Sequence, residues 1–100
     1  MSKTITNNKL GLTIQLEDFS QAQFETYQGE LFRNDPKTNA SKNSVVVLGA
    51  IKAGFLKGIE AEKIPAMSPA AIAWAVIQVH RHVVAVTTPP QDDETDIKNS

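Results

Sequence analysis

His80 and His82 are the two histidines of the chain, and imidazole is the side chain most often recruited for metal ligation or proton transfer near neutral pH. Their spacing argues against a shared site. Two residues apart on a helix, they lie about 200° around its axis and cannot converge on one ion. Their places relative to the apolar residues predict His80 packed beside Val76 and Val83. His82 is predicted to meet solvent or a partner, where a pH-sensitive contact at a subunit boundary fits imidazole better than catalysis does. No HExxH-type or Cys/His spacing accompanies either residue.

The stretch Val45 to Gly58, VVVLGAIKAGFLKG, looks at first like a strand entering a glycine-rich phosphate loop. Neither GxGxxG nor GxxxxGK with a following Ser or Thr is present, and Lys52 precedes Gly54 instead of following a second glycine. Helix packing explains the small residues better. The acidic pair Glu17-Asp18 sits where carboxylates favour a helix N-terminus, and Asp92-Asp93-Glu94 falls in a polar tail that cannot hold catalytic geometry. With no cysteine there is no disulfide, no thiol nucleophile and no cysteine-based zinc site. The residues thus predict a protein that is not an enzyme and uses no cofactor and no metal.

One hundred residues with 41% hydrophobic and 21% charged content describe a single folded domain with a modest core. We expect a mobile arm over 1–9, one domain over 10–90 and a disordered acidic tail over 91–100. Net charge is −1, distributed as −2 over 1–32, +3 over 33–63, +1 over 64–90 and −3 over 91–100. No dense basic patch results, so nucleic acid is not an expected partner. The N-terminus lacks the apolar run of a secretory signal, which points to a cytoplasmic protein and leaves the sequon Asn39-Ala40-Ser41 without meaning.

The elements that would carry any site follow from periodicity. Leu10 to Leu16 alternates apolar and polar residues, as a half-buried strand does. Such a strand needs a hydrogen-bonding partner, either Lys57 to Ile64 or a neighbouring subunit. A helix capped by Asp18 or Ser20 runs to about Arg33 with Phe24, Tyr27 and Leu31 on one face and Phe19 as a staple. Asn34 to Asn43 is a surface loop. Ser44 caps a second helix, Val45 to about Leu56, whose Gly49, Ala50, Ala53 and Gly54 allow close approach of another helix, with Lys57-Gly58 as its end. Ile64-Pro65 is expected to be extended.

The longest element is a helix within Met67 to Pro90, opened by Ser68-Pro69 and closed by Pro89-Pro90. Ile72, Val76, Val79, Val83 and Val86 form its packing stripe. Trp74, Ile77 and Val84 lie off that stripe, so the helix needs partners on more than one side. Its length raises the question of a membrane span, which the interior cluster His80, Arg81 and His82 argues against. A helix-turn-helix reading fails on the roughly ten-residue connector and a would-be recognition helix rich in Val and Trp. The fold class expected is mostly α, a small bundle of about three helices with one N-terminal β-strand or extended arm. Trp74, Ile77, Arg81, Val84, Leu12 and Ile14 are the candidate partner-binding residues.

Taken in order, the strand-like start, Gln21-Ala22-Gln23-Phe24-Glu25-Thr26-Tyr27, Ala50-Ile51-Lys52-Ala53-Gly54-Phe55-Leu56, Met67-Ser68-Pro69 opening a long helix, and Pro89-Pro90 before an acidic end resemble small tail-assembly-chaperone-type proteins of long-tailed phages and prophages. The resemblance spans roughly Leu10 to Asp93. It implies a non-enzymatic chaperone that associates with the tape-measure protein, keeps its apolar helices soluble and helps tail-tube subunits gather around it. It offers no catalytic residues. The alternative is a structural virion protein, a minor tail, connector or head component. Self-association into a homo-oligomer is expected from the lone strand and the two-sided helix.

Overall fold

The computed structural model describes residues 2–34 and 42–90. It is mostly helical, in the order β1 (Ser2–Asn7), β2 (Leu12–Glu17), α1 (Gln21–Asn34), α2 (Asn43–Ala53), β3 (Leu56–Lys57), a 3₁₀ helix (Ala61–Ala66) and α3 (Pro69–Thr87). The strands form an antiparallel sheet in the order β1-β2-β3. Most of the expected loop between α1 and α2, and the whole of the expected acidic tail, lie outside the described residues.

The alternation in β2 turns Leu12, Ile14 and Leu16 inward, and the last two are buried. Its partners are both within the chain. β1 pairs along its full length, with Ile5 opposite Ile14 and Asn7 opposite Leu12, while Gln15 and Leu16 pair with Lys57 and Leu56 of β3. Residues 2–9, expected as a mobile arm, are therefore a strand and most of a hairpin turn. The turn is built locally: Asn7 Oδ1 accepts from the Leu10 amide at 3.1 Å, and Gly11 takes a left-handed φ of 63°. Thr4, Ile5 and Thr6 supply β-branched side chains that suit the pleat.

Ser20, not Asp18, caps α1. Its Oγ accepts from the Gln23 amide at 3.2 Å while Gln23 Oε1 accepts from the Ser20 amide at 2.8 Å, a reciprocal capping box. Phe19 stacks on Phe24 at 5.8 Å as the hydrophobic staple. Downstream, Tyr27 is buried against α2 at Gly49, where an added Cβ would sit 3.4 Å from both Tyr27 Cδ1 and Glu30 Cβ. Gly49 thus sets how closely the two helices approach. Burial raises the Tyr27 phenol above its ordinary value of 10.0.

α2 begins two residues earlier than its valine run and stops at Ala53, short of the expected Leu56. Gly54 ends it in a left-handed conformation at φ 90°, its amide bonding to Ile51 O at 3.0 Å and that of Phe55 to Ala50 O at 3.2 Å. This paired closure turns the chain sharply, drops Phe55 into the core and lays Leu56–Lys57 on β2. Gly58, at φ 101°, follows against β2 so closely that a Cβ would sit 2.5 Å from Thr13 O. Ile64, expected in extended chain, lies within the 3₁₀ helix because its buried side chain outweighs the local bias of a residue before proline.

α2 is the hub. α1 packs on one side of it and α3 on another, with little direct contact between α1 and α3, and β3 and the 3₁₀ helix adjoin it. Ile14, Leu16, Val47, Phe55 and Val79 are the largest fully buried side chains, where the sheet, α2 and α3 meet.

Candidate partner-binding surface

α3 starts as its sequence dictates: Ser68 Oγ accepts from the Ala71 amide at 3.1 Å and Pro69 fills the first turn. Its inward arc is Ala71, Ile72, Ala75, Val76, Val79 and His82. Val79 is 0% exposed. By length and composition the helix could cross a membrane, yet this arc is packed within the fold.

The histidines have exchanged their expected places. His80 is exposed, whereas His82 is 4% exposed and its Nε2 lies 2.7 Å from Glu17 O. A carbonyl only accepts, so Nε2 carries the proton and is not free to act as a base. Phe19 meets the ring edge-on at 5.8 Å and Phe55 lies 6.0 Å away. The cause is the position of the buried arc. Ala71 and Ala75 are buried with the branched residues, which rotates the centre of packing toward His82. The ring ties α3 to the end of β2, beside an open cleft lined by Ser2, Lys3, Asp18, Phe19, Ala85 and Val86.

On the opposite side, Ile77 is 48% exposed and Val84 is 63% exposed. Seven residues apart, they lie two turns from one another along the same side of the helix. Trp74 is half-buried and packs against the core cluster, which holds the indole at the border of the outer face. Arg81, exposed, stands one turn after Ile77 and just before Val84, and α3 contains no acid to neutralise it. The arrangement presents aliphatic surface beside a guanidinium that, among the described residues, meets no carboxylate. It can bury an apolar helix and bind a carboxylate.

Four of the six expected residues, Trp74, Ile77, Arg81 and Val84, therefore converge on one surface. Leu12 and Ile14 do not. Ile14 is 1% exposed and Leu12 is half-buried against the core, since β2 is the middle strand and its inward side chains are covered by helices. Sequence reasoning also missed the exposed Phe32 on α1 and the position of β1 at the sheet's edge. For Phe32 the signal was its position one residue past the Phe24, Tyr27, Leu31 face.

Two of the other charged candidates form ion pairs, and Asp92-Asp93-Glu94 lies outside the described residues. Lys52 Nζ meets Glu30 Oε1 at 3.5 Å and Glu17 Oε2 meets Lys57 Nζ at 3.5 Å. Among the described residues no three of His, Asp and Glu gather as a metal centre requires. Compared with protein-family models, with curated proteins and with solved structures, the chain finds no match.

Proposed function

We propose that the chain is a non-enzymatic assembly factor of the tail-assembly-chaperone type, acting in the host cytoplasm during phage tail morphogenesis. Its client is the tape-measure protein, around which tail-tube subunits gather. The observation that carries the reading is the outer face of α3, where Ile77 and Val84 remain exposed on a helix whose other side fills the core. A holdase needs such a surface to receive apolar helices. The occupant of this face is one amphipathic helix of the client, its aliphatic residues against Ile77 and Val84 and a carboxylate against Arg81. Charge complementarity supports that choice, because α3 offers a cation and no anion.

Co-expression with the tape-measure protein of the same phage or prophage tests the proposal. The chain is expected to co-purify with it and to raise its soluble yield. Absence of both effects, together with normal tails after deletion of the gene, would overturn it. A second reading, a structural virion protein, is favoured by the outer edge of β1, with which no strand pairs among the described residues and which suits pairing between subunits. Mass spectrometry of purified particles separates the two, since a chaperone is absent from the finished virion and a structural part is present.

A further inference from the structure

The two edges of the sheet differ. β3 is two residues long, ending at Lys57 before Gly58, whereas β1 pairs continuously from Ser2 to Asn7 on one side, and among the described residues no strand pairs with its other side. The backbone groups on that outer side can be identified. Glu17 N donates to Phe55 O at 2.9 Å, toward β3. Backbone groups of alternate residues in a strand point to opposite edges, so Leu12, Ile14 and Leu16 bond toward β1. Their register partners Asn7, Ile5 and Lys3 use their amides internally. The N–H and C=O groups of Ser2, Thr4 and Thr6 therefore face outward.

Proteins usually blunt such an edge with proline, a bulge or several charges. β1 has no proline, an unbroken register and a single charge, Lys3. Its sequence is also complementary to itself. Laid antiparallel about a two-fold axis at Ile5, two β1 strands set Ile5 against Ile5, Thr4 against Thr6 and Lys3 against Asn7. The outward amides of Thr4 and Thr6 then bond reciprocally, and Ile5 meets its copy at the close spacing of about 4.5 Å between Cα atoms that non-hydrogen-bonded pairs adopt. The two Lys3 side chains stand about 13 Å apart along the strands. Centring on Thr4 instead would press Lys3 against Ile5. Ile5 is only half-buried against the core, so its copy also covers apolar surface left open in one chain.

We infer that β1 is the self-association edge of this protein, joining two copies through antiparallel Ser2–Asn7 strands into one continuous sheet with Ile5 on the two-fold axis. The occupant is a second copy rather than a foreign strand because the pairing satisfies backbone, apolar and charge requirements with this sequence alone. The surface is separate from the outer face of α3, so the inference does not depend on the proposed client.

Sedimentation of the full chain across the micromolar range tests it. The dissociation constant is expected in that range, because one six-residue edge buries less than a standard interface. Thr4→Lys with Thr6→Lys places lysines opposite one another on the exposed sheet face and is expected to weaken the dimer about tenfold. Thr4→Glu with Thr6→Lys is expected to restore it, since each glutamate then faces a lysine of the other copy. Circular dichroism verifies that both variants keep the parent fold. A monomer at every concentration, a double-lysine variant that dimerises unchanged, or a dimer lost instead in Ile77→Ser with Val84→Ser would overturn the inference.

Discussion

The two sides of α3 are made of the same residue types and do opposite things. Inward, Ile72, Val76 and Val79 are buried against α2 and the sheet; outward, Ile77 and Val84 are as aliphatic and stand in solvent. Hydrophobicity alone does not separate them. What does is the surrounding fold: α2 covers one arc and β2 reaches its end through His82, while among the described residues no element packs over the other. A side chain on the inner arc is thus bound to folding, and one on the outer arc is available for association.

Substitution should separate the arcs sharply. Val79→Asp buries a charge where the native side chain is fully enclosed and is expected to cost about 4 kcal/mol or more, enough to unfold much of a domain this size. Ile77→Asp, two residues earlier, should change stability by less than about 0.5 kcal/mol. Urea titrations of both variants measure the difference, and equal losses would break the comparison.

The histidines sharpen it with matched chemistry. His82→Ala removes the bond to Glu17 O, leaves a small void and is expected to cost about 2 kcal/mol, whereas His80→Ala should stay within about 0.5 kcal/mol. This pair also marks where the sequence was legible. The limits of α3 were readable because Ser68, Pro69 and the closing prolines act locally. Which histidine faces inward depended on Ala71 and Ala75, whose small side chains add little to an apolar stripe but permit the close packing that rotates it.

Other elements divide in the same way. Ser20, Gln23, Phe19 and Phe24 form a cap and staple contained within the six residues 19–24. β1, with Ile5 as its one aliphatic residue, is fixed by pairing with β2 and leaves little trace in its own periodicity. Of the candidate surface, Trp74, Ile77 and Val84 were legible as apolar positions off the main stripe. Leu12 and Ile14 were misjudged because alternation reports that a strand has a buried face without saying which chain covers it.

The core that the inner arc joins can be followed at Tyr27, the one tyrosine of the chain, whose ring meets Phe55 at 5.4 Å. Its phenol keeps its proton to higher pH in the folded chain than in the unfolded one. Above an unfolded value of 10.0 the folded chain therefore binds more protons, and stability falls as pH rises until the folded value is passed; below that window this group changes nothing. Tyrosinate absorbance against pH should show a midpoint above 10.0 that returns to the ordinary value in denaturant. An identical midpoint in both states would place Tyr27 outside the core.

The most direct test of the outer face is binding to the tape-measure protein by the parent chain and by Ile77→Ser with Val84→Ser, compared at equal folded concentration. The account predicts unchanged circular dichroism and affinity at least about tenfold weaker, as expected when central apolar contacts are removed. Undiminished binding by the folded double variant would contradict it.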